Sequence, residues 1–120
     1  MPKLAANLST LFTELPFLER FAAASRAGFV AVEYQYPYEW QSNDIAAAAR
    51  DAGVQVVLHN MPPGDAQLNE RGTTCLTGRE QRFRDDLDRA IEFGKPVLMR
   101  DDWKRVFEPE EIAASIQRIT

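Results

Sequence analysis

The chain has 120 residues, of which 45% are hydrophobic and 27% are charged, a balance that is typical of a soluble globular domain. Its 18 acidic and 14 basic side chains give a net charge of −4, which argues against a broad nucleic-acid-binding surface. Cys75 is the only cysteine, so an internal disulfide and a cysteine-only metal site are excluded.

The first predicted unit is a strand followed by a helix. A short apolar run at residues 3–8 predicts the strand, and Pro16 opens a helix that extends to about residue 27. Gly28 is placed to end that helix, because glycine readily adopts the left-handed conformation that often follows a helix C-terminus. The next run, residues 29–36, predicts a second strand.

The second unit repeats this order. Ser42 is predicted to cap a helix over residues 43–52, and Gly53 follows that helix, 25 residues after Gly28. A third strand is predicted for residues 54–60. The equivalent positions of the two glycines indicate a weak internal repeat of βα units.

A long loop, residues 61–76, separates the third strand from the next predicted helix. Loops of this length are usually functional or disordered. Thr77 and Glu80 have the spacing of a capping box, which predicts a helix that extends to about residue 93 and ends at Gly94. Four residues of this helix are predicted to form its buried stripe, namely Phe83, Leu87, Ala90 and Ile91.

The last predicted elements are a fourth strand over residues 96–100 and a helix over residues 109–119. Strands that alternate with helices favour a parallel sheet with right-handed crossovers. We therefore predict the α/β class, as a single domain over residues 1–120 that forms a half TIM barrel or a small open sheet of about four strands. A complete (β/α)8 barrel needs about 200 residues or more, so the chain is too short to contain one.

Polar residues follow the predicted strands at their C-terminal ends, where ligands bind in parallel α/β sheets. A small polyol or keto acid requires donors for its carbonyl and hydroxyl oxygens, a cation for its carboxylate, and an acid or base nearby. The candidate substrate-binding residues at this rim are Asn7, Glu33, His59, Asn60, Glu70 and Arg71.

Each candidate also has a purely structural interpretation. His59 can be a packing residue, Glu33 can face outward, and Arg71 can be solvated. The two asparagines can satisfy backbone groups of turns. Four arginines near the third predicted helix alternate with acidic residues and are interpreted as a solvated face, namely Arg79, Arg82, Arg84 and Arg89.

Motifs for phosphate binding and for common hydrolase chemistry are missing from the sequence. It contains no Gly-rich phosphate loop, no GxSxG elbow and no HExxH. One histidine and one cysteine do not support a zinc site of common type or a catalytic dyad. We therefore assign no catalytic residue and no metal ligand within this chain.

Several separate strings resemble the hydroxypyruvate isomerase family, in order and with matching spacing. The most specific string reads LHNMPPGD and spans residues 58–65. The resemblance extends over residues 1 to about 93. The strings that carry it are at residues 5–9, 16–21, 27–33, 58–65, 70–72 and 75–80.

The resemblance implies a xylose-isomerase-like (β/α)8 barrel that interconverts hydroxypyruvate and tartronate semialdehyde, with 2-oxo-tetronates as substrates of close relatives. In that family a carboxylate base moves a proton through an enediolate, and a divalent metal such as Mg2+ stabilises the developing oxyanion. The resemblance implies these substrate-side residues: His59, Glu70 and Arg71, with Asn7, Glu33 and Asn60 on the pocket floor.

The sequence departs from the family at two places. Residues 66–69 stand where the family has a Trp and small residues, and the resemblance ends near residue 93. The catalytic glutamates and metal ligands of the family belong to the second half of the barrel, and no positions of this sequence match them. We therefore expect residues 94–120 to be a divergent βα tail, no cofactor to be held within this chain, and the chain alone to be inactive.

Two functions are compatible with these observations. The first is an isomerase of the hydroxypyruvate type that needs a second chain or copy for its carboxylates, and the second is a non-catalytic α/β module that at most binds a small molecule. We expect a small hydroxy or keto acid as ligand and no nucleic acid. The open edges of a half barrel favour a homo-oligomer. With no apolar run of about 18 residues and no signal peptide, we expect no membrane partner and a cytoplasmic location.

Overall fold

The computed structural model describes residues 3–98, which form a three-stranded parallel sheet and three α-helices. The sheet order is β1-β2-β3, so consecutive strands are neighbours. The elements are β1 (Ala5–Asn7), α1 (Arg20–Arg26), β2 (Ala31–Tyr34), α2 (Ser42–Ala52), β3 (Gln55–His59) and α3 (Glu80–Leu98), with 3-10 turns at Phe17–Glu19 and Ala66–Leu68. The predicted α/β class and parallel sheet are confirmed, and this open sheet is consistent with part of a TIM barrel.

The core lies between the sheet and the helices. Side chains along β2 point alternately to the two faces of the sheet. Val32 and Tyr34 are buried on one face, and Glu33 is half-buried on the other. Val32 and Tyr34 share one apolar cluster with Phe21 of α1 and Ile45 of α2, all of them nearly or fully buried. This alternation leaves the Glu33 face of the sheet without a helix of the described residues against it.

Both predicted glycine joints are confirmed. Gly28 and Gly53 have φ angles of +91° and +68°, in the left-handed region that follows many helix ends. After α1 the Phe29 N–H donates to the Ala24 carbonyl at 3.0 Å, and after α2 the Val54 N–H donates to the Ala49 carbonyl at 3.1 Å. The two βα units therefore repeat the same helix ending at equivalent positions.

The predicted helix caps differ from the observed ones. Ser42 is the first residue of α2, and Gln41 occupies the cap position without a side-chain hydrogen bond. The capping box at Thr77 is also wrong, because the Glu80 carboxylate accepts a hydrogen bond from the Gly78 N–H at 3.3 Å instead. The helix α2 thus begins at the predicted cap residue itself, and α3 begins three residues after Thr77.

The third helix is longer than predicted. It does not end at Gly94 but continues through Pro96 to Leu98, so the predicted fourth strand is wrong at residues 96–98. Gly94 is buried against His59, since a Cβ atom at this position would lie 2.9 Å from the His59 ring. Close packing against His59 therefore explains why residue 94 is a glycine. The sequence alone suggests instead that Gly94 ends the helix. The rest of the predicted strand and the helix at 109–119 lie outside the described residues.

The predicted buried stripe of the third helix is correct only in part. Ala90 is buried and Phe83 is half-buried, but Leu87 and Ile91 are 39% and 49% exposed. The buried positions of α3 are Asp86, Ala90 and Gly94.

None of the helices within the described part combines the length and apolar character that a membrane crossing requires.

Candidate functional site

Asn7 and Glu33 meet at the C-terminal ends of β1 and β2. Their Cα atoms are partners in the parallel ladder, and the Asn7 Nδ2 donates a hydrogen bond to Glu33 Oε1 at 3.0 Å. The Asn7 Oδ1 in turn accepts a hydrogen bond from the Ser9 N–H at 2.9 Å. The amide thus ties the Glu33 carboxylate to the first loop of the chain, on the sheet face that the described helices do not cover.

His59 lies on the opposite face of the sheet. It is the ladder partner of Tyr34, while Glu33 is the partner of Leu58. The imidazole stacks on Tyr34 with ring centroids 6.3 Å apart, and its Nε2 lies 3.1 Å from the Ala90 carbonyl of α3. The structure therefore does not bring His59 together with Glu33, and the predicted convergence of these two side chains is wrong.

Burial controls the protonation of His59. The ring is enclosed by Tyr34, Tyr38 and Phe93, and its Nδ1 is buried with no hydrogen-bond partner among the described residues. Burial lowers the pKa of His59 below its usual range, and the nearby Ala90 carbonyl opposes that effect. A neutral ring with its proton on Nε2 fits this environment, because a carbonyl can only accept a hydrogen bond.

Asn60 and Arg71 line one cavity beside the end of β3. The cavity has a volume of about 280 Å³, and Tyr36 and Thr74 also contribute to its wall. The Asn60 backbone is held in place, since its N–H donates to the Gln35 carbonyl at 2.9 Å and its carbonyl accepts from the Tyr38 hydroxyl. Arg71 is exposed. The cavity therefore offers a cation and an amide to a small ligand.

Glu70 is engaged inside the loop and not in this cavity. Its side chain is 7% exposed and forms an ion pair with Arg79 at 2.5 Å. The Asp65 N–H donates to Glu70 Oε2 at 2.7 Å, and this bond together with the Arg79 contact lowers the pKa of the Glu70 carboxyl. Glu70 thus supports the loop that carries Arg71.

Three arginines that the sequence suggests as a solvated face have specific partners. Arg79 contacts Glu70, and the Arg82 Nε donates to Asp86 at 2.8 Å. The Arg89 guanidinium lies 4.8 Å from the centroid of the Tyr38 ring. For Arg82 the i, i+4 spacing to Asp86 is a usable sequence signal, but the other two contacts join distant parts of the chain and have no local signal.

The described residues do not fit the divalent metal of the resembled family by themselves. Between residues 3 and 98 no group of three His, Cys, Asp or Glu side chains lies close enough together to hold a metal ion. Glu33 accepts a hydrogen bond from the Asn7 amide, and Glu70 pairs with the Arg79 guanidinium.

The sequence comparisons identify relatives for most of the chain. A 2-oxo-tetronate isomerase of Pectobacterium atrosepticum is 47% identical over 93 residues, which cover 78% of this chain and 36% of that protein. The hydroxypyruvate isomerase of Escherichia coli is 39% identical over 97 residues, which cover 81% of this chain and 38% of that protein. Over its N-terminal four fifths, the chain is homologous to the hydroxypyruvate isomerase family. The predicted family resemblance is confirmed, and the chain spans little more than a third of these relatives.

The structural comparison agrees with this homology. The crystal structure of a family 2 AP endonuclease from Brucella melitensis matches with a TM-score of 0.78 and 47% sequence identity, over 81% of this chain and 38% of that one. A family model described as the C-terminal part of phosphogluconate dehydrogenase (decarboxylating) matches residues 66–120. That match overlaps the end of the isomerase-like segment and also includes residues outside the described part.

Proposed function

We propose that the isomerase-like segment forms one wall of a hydroxypyruvate-isomerase-type active site and binds a small hydroxy or keto acid there. The observation that carries the proposal is the placement of the Asn7–Glu33 pair and the Asn60–Arg71 cavity. Both follow the C-terminal ends of parallel strands, where ligands bind in folds of this class. Homology to isomerases over the same residues supports this assignment.

Each side chain of this wall has a defined role in the proposal. Arg71 pairs with the carboxylate of the acid, because a guanidinium can donate two parallel hydrogen bonds to it. Glu33 accepts hydrogen bonds from the hydroxyl groups of the ligand, and Asn7 holds the Glu33 carboxylate in position. Asn60 contributes its amide from the start of the long loop. His59 supports the wall from the helix side.

Aldose–ketose isomerisation also needs a base that moves a proton between two carbons and a charge that stabilises the enediolate oxygen. Glu33 accepts a hydrogen bond from the Asn7 amide, and we assign it a binding role and no proton transfer. The alternative function is a module that binds the acid without turnover.

Binding and turnover can be tested separately on the 120-residue chain. Hydroxypyruvate is titrated against the protein by NMR, and tartronate semialdehyde is then sought as a product with added Mg2+ or Mn2+. We expect saturable binding that weakens on the order of tenfold in Glu33→Gln and in Arg71→Ala, because each loses a charge-assisted contact.

The control is Glu39→Gln, which removes an exposed carboxylate away from the wall. Equal binding by the wild type and by Glu33→Gln and Arg71→Ala would contradict the proposed wall. Turnover that depends on Glu33 would favour the isomerase, and saturable binding without product would favour the binding module.

A further inference from the structure

The Glu70 carboxylate joins the long loop after β3 to the start of α3. One of its oxygens, Oε1, contacts both the Nε of Arg79 at 2.7 Å and the Nη2 of the same guanidinium at 2.5 Å. The other oxygen, Oε2, accepts the Asp65 N–H at 2.7 Å. With its side chain 7% exposed, Glu70 is withdrawn from solvent, whereas the Arg79 side chain is 32% exposed. Arg79 therefore forms an ion pair with the Glu70 carboxylate, which is largely shielded from solvent.

The backbone around Glu70 is shaped to receive this carboxylate. Gly64 has a φ angle of +103°, and a Cβ atom there would lie 2.6 Å from Glu70 Oε2. The Gly72 N–H donates to the Pro63 carbonyl at 2.6 Å, which closes the loop on the other side of Glu70. Residues 63–72 thus form one closed loop, and Arg71 lies between the clamped Glu70 and the bonded Gly72. The direction in which Arg71 leaves the backbone depends on both contacts.

We propose that Arg79 is a positioning residue that holds Arg71 at the ligand cavity through the Glu70 carboxylate. This inference rests on the proposed function, since it assigns to Arg79 the task of placing the cation that receives the acid. Without Arg79 the buried carboxylate keeps only its bond to the Asp65 N–H, and an unpaired charge then favours exposure to water. The loop opens, and Arg71 samples positions away from the cavity.

The test combines two measurements on the 120-residue chain. The first is hydrogen exchange of the Asp65 and Gly72 amides, followed by NMR, with the β2 amides as an internal reference for the global fold. The second is the dissociation constant for hydroxypyruvate. In Arg79→Ala we expect faster exchange at both loop amides with unchanged exchange in β2, and binding weaker on the order of tenfold. Arg79→Lys restores the charge but not the two-nitrogen contact, so it recovers part of the affinity.

A double-mutant cycle separates positioning from a direct contact with the ligand. If Arg79 acts through Arg71, then adding Arg79→Ala to Arg71→Ala causes no further loss of affinity. The matched control is Arg50→Ala, which removes an exposed guanidinium from α2. This control leaves the exchange of the two loop amides unchanged.

Three results would overturn the inference. The first is exchange of the loop amides in Arg79→Ala at the wild-type rate. The second is wild-type affinity for hydroxypyruvate in Arg79→Ala. The third is a double mutant in which the affinity losses of Arg71→Ala and Arg79→Ala add fully. If the wild type itself binds no acid, the proposed function fails, and the exchange measurement then decides by itself whether Arg79 orders the loop.

Discussion

The His59 imidazole packs between aromatic rings and the helix α3. Its place at the end of a strand suggests a rim residue, but it packs in an aromatic cluster with Tyr34, Tyr38 and Phe93 and contacts the Ala90 carbonyl. The contact joins β3 to α3. His59 therefore contributes to the stability of the fold, while Glu33 is half-buried and Arg71 is exposed.

The pH dependence of stability provides a test of this role, because His59 is the only histidine. Burial lowers the pKa of His59 in the folded chain below the ordinary value of 6.5. As the pH falls below 6.5, the unfolded chain binds the proton first, so the stability that neutral His59 contributes is fully present above pH 6.5 and is lost below it. We expect the free energy of unfolding of the wild type, relative to His59→Gln, to decrease between pH 8 and pH 5 in urea titrations. Carboxylates titrate equally in both proteins and cancel, so a constant difference would contradict the prediction.

The endings of α1 and α2 are predicted correctly from the sequence. Gly28 and Gly53 both have positive φ angles, and a Cβ atom at either position would meet no neighbouring atom within 4 Å. Their requirement is therefore conformational and not steric. Gly94 is the opposite case, since it is inside α3 and its lack of a side chain admits the His59 ring. One residue type thus serves two purposes, and only the structure distinguishes them.

Substitution of Gly53 tests the conformational requirement. Gly53→Ala forces a residue with a Cβ atom into the left-handed region, and we expect it to lower the free energy of unfolding by about 1–2 kcal/mol. Gly53→Asn is the matched control, and it costs less because asparagine tolerates this region better. Chemical denaturation at neutral pH measures both effects. Equal stability of Gly53→Ala and the wild type would show that the joint does not require glycine.

At the scale of the whole molecule, the described sheet is open. Its three strands leave β1 and β3 as edges, and Val57 and Leu58 on β3 are 47% and 46% exposed. Exposed strand edges beside apolar side chains favour pairing with another chain. The homology covers little more than a third of the curated relatives.

Self-association of the 120-residue chain is the corresponding prediction. We expect light scattering at micromolar concentration to give a mass above that of one chain. Leu58→Lys, which puts a charge on the exposed part of β3, shifts the mass toward one chain. The control is Leu68→Lys, because Leu68 is 61% exposed but lies in the long loop and not on the sheet. A wild-type mass equal to that of one chain would contradict the prediction.

The sequence by itself determines the βα order, the parallel sheet, the two glycine joints and the family. These features depend on local patterns, because a short apolar run, a glycine after a helix and a motif are each recorded within a few residues. The same local information places Asn7, Glu33, His59 and Asn60 near strand ends, and the structure agrees with those positions along the chain.

Only the tertiary structure decided which of these side chains meet. The register between β2 and β3 shifts after Val32, so that Glu33 pairs with Leu58 and the residue between Val56 and Leu58 has no ladder partner. Strict alternation from buried Val56 would put His59 on the Glu33 face, but one extra residue in a strand moves every later side chain to the opposite face. In the same way, the partner of Glu70 is nine residues away at the start of a helix. Pairing across a sheet and closure of a loop are long-range contacts, and local spacing does not encode them.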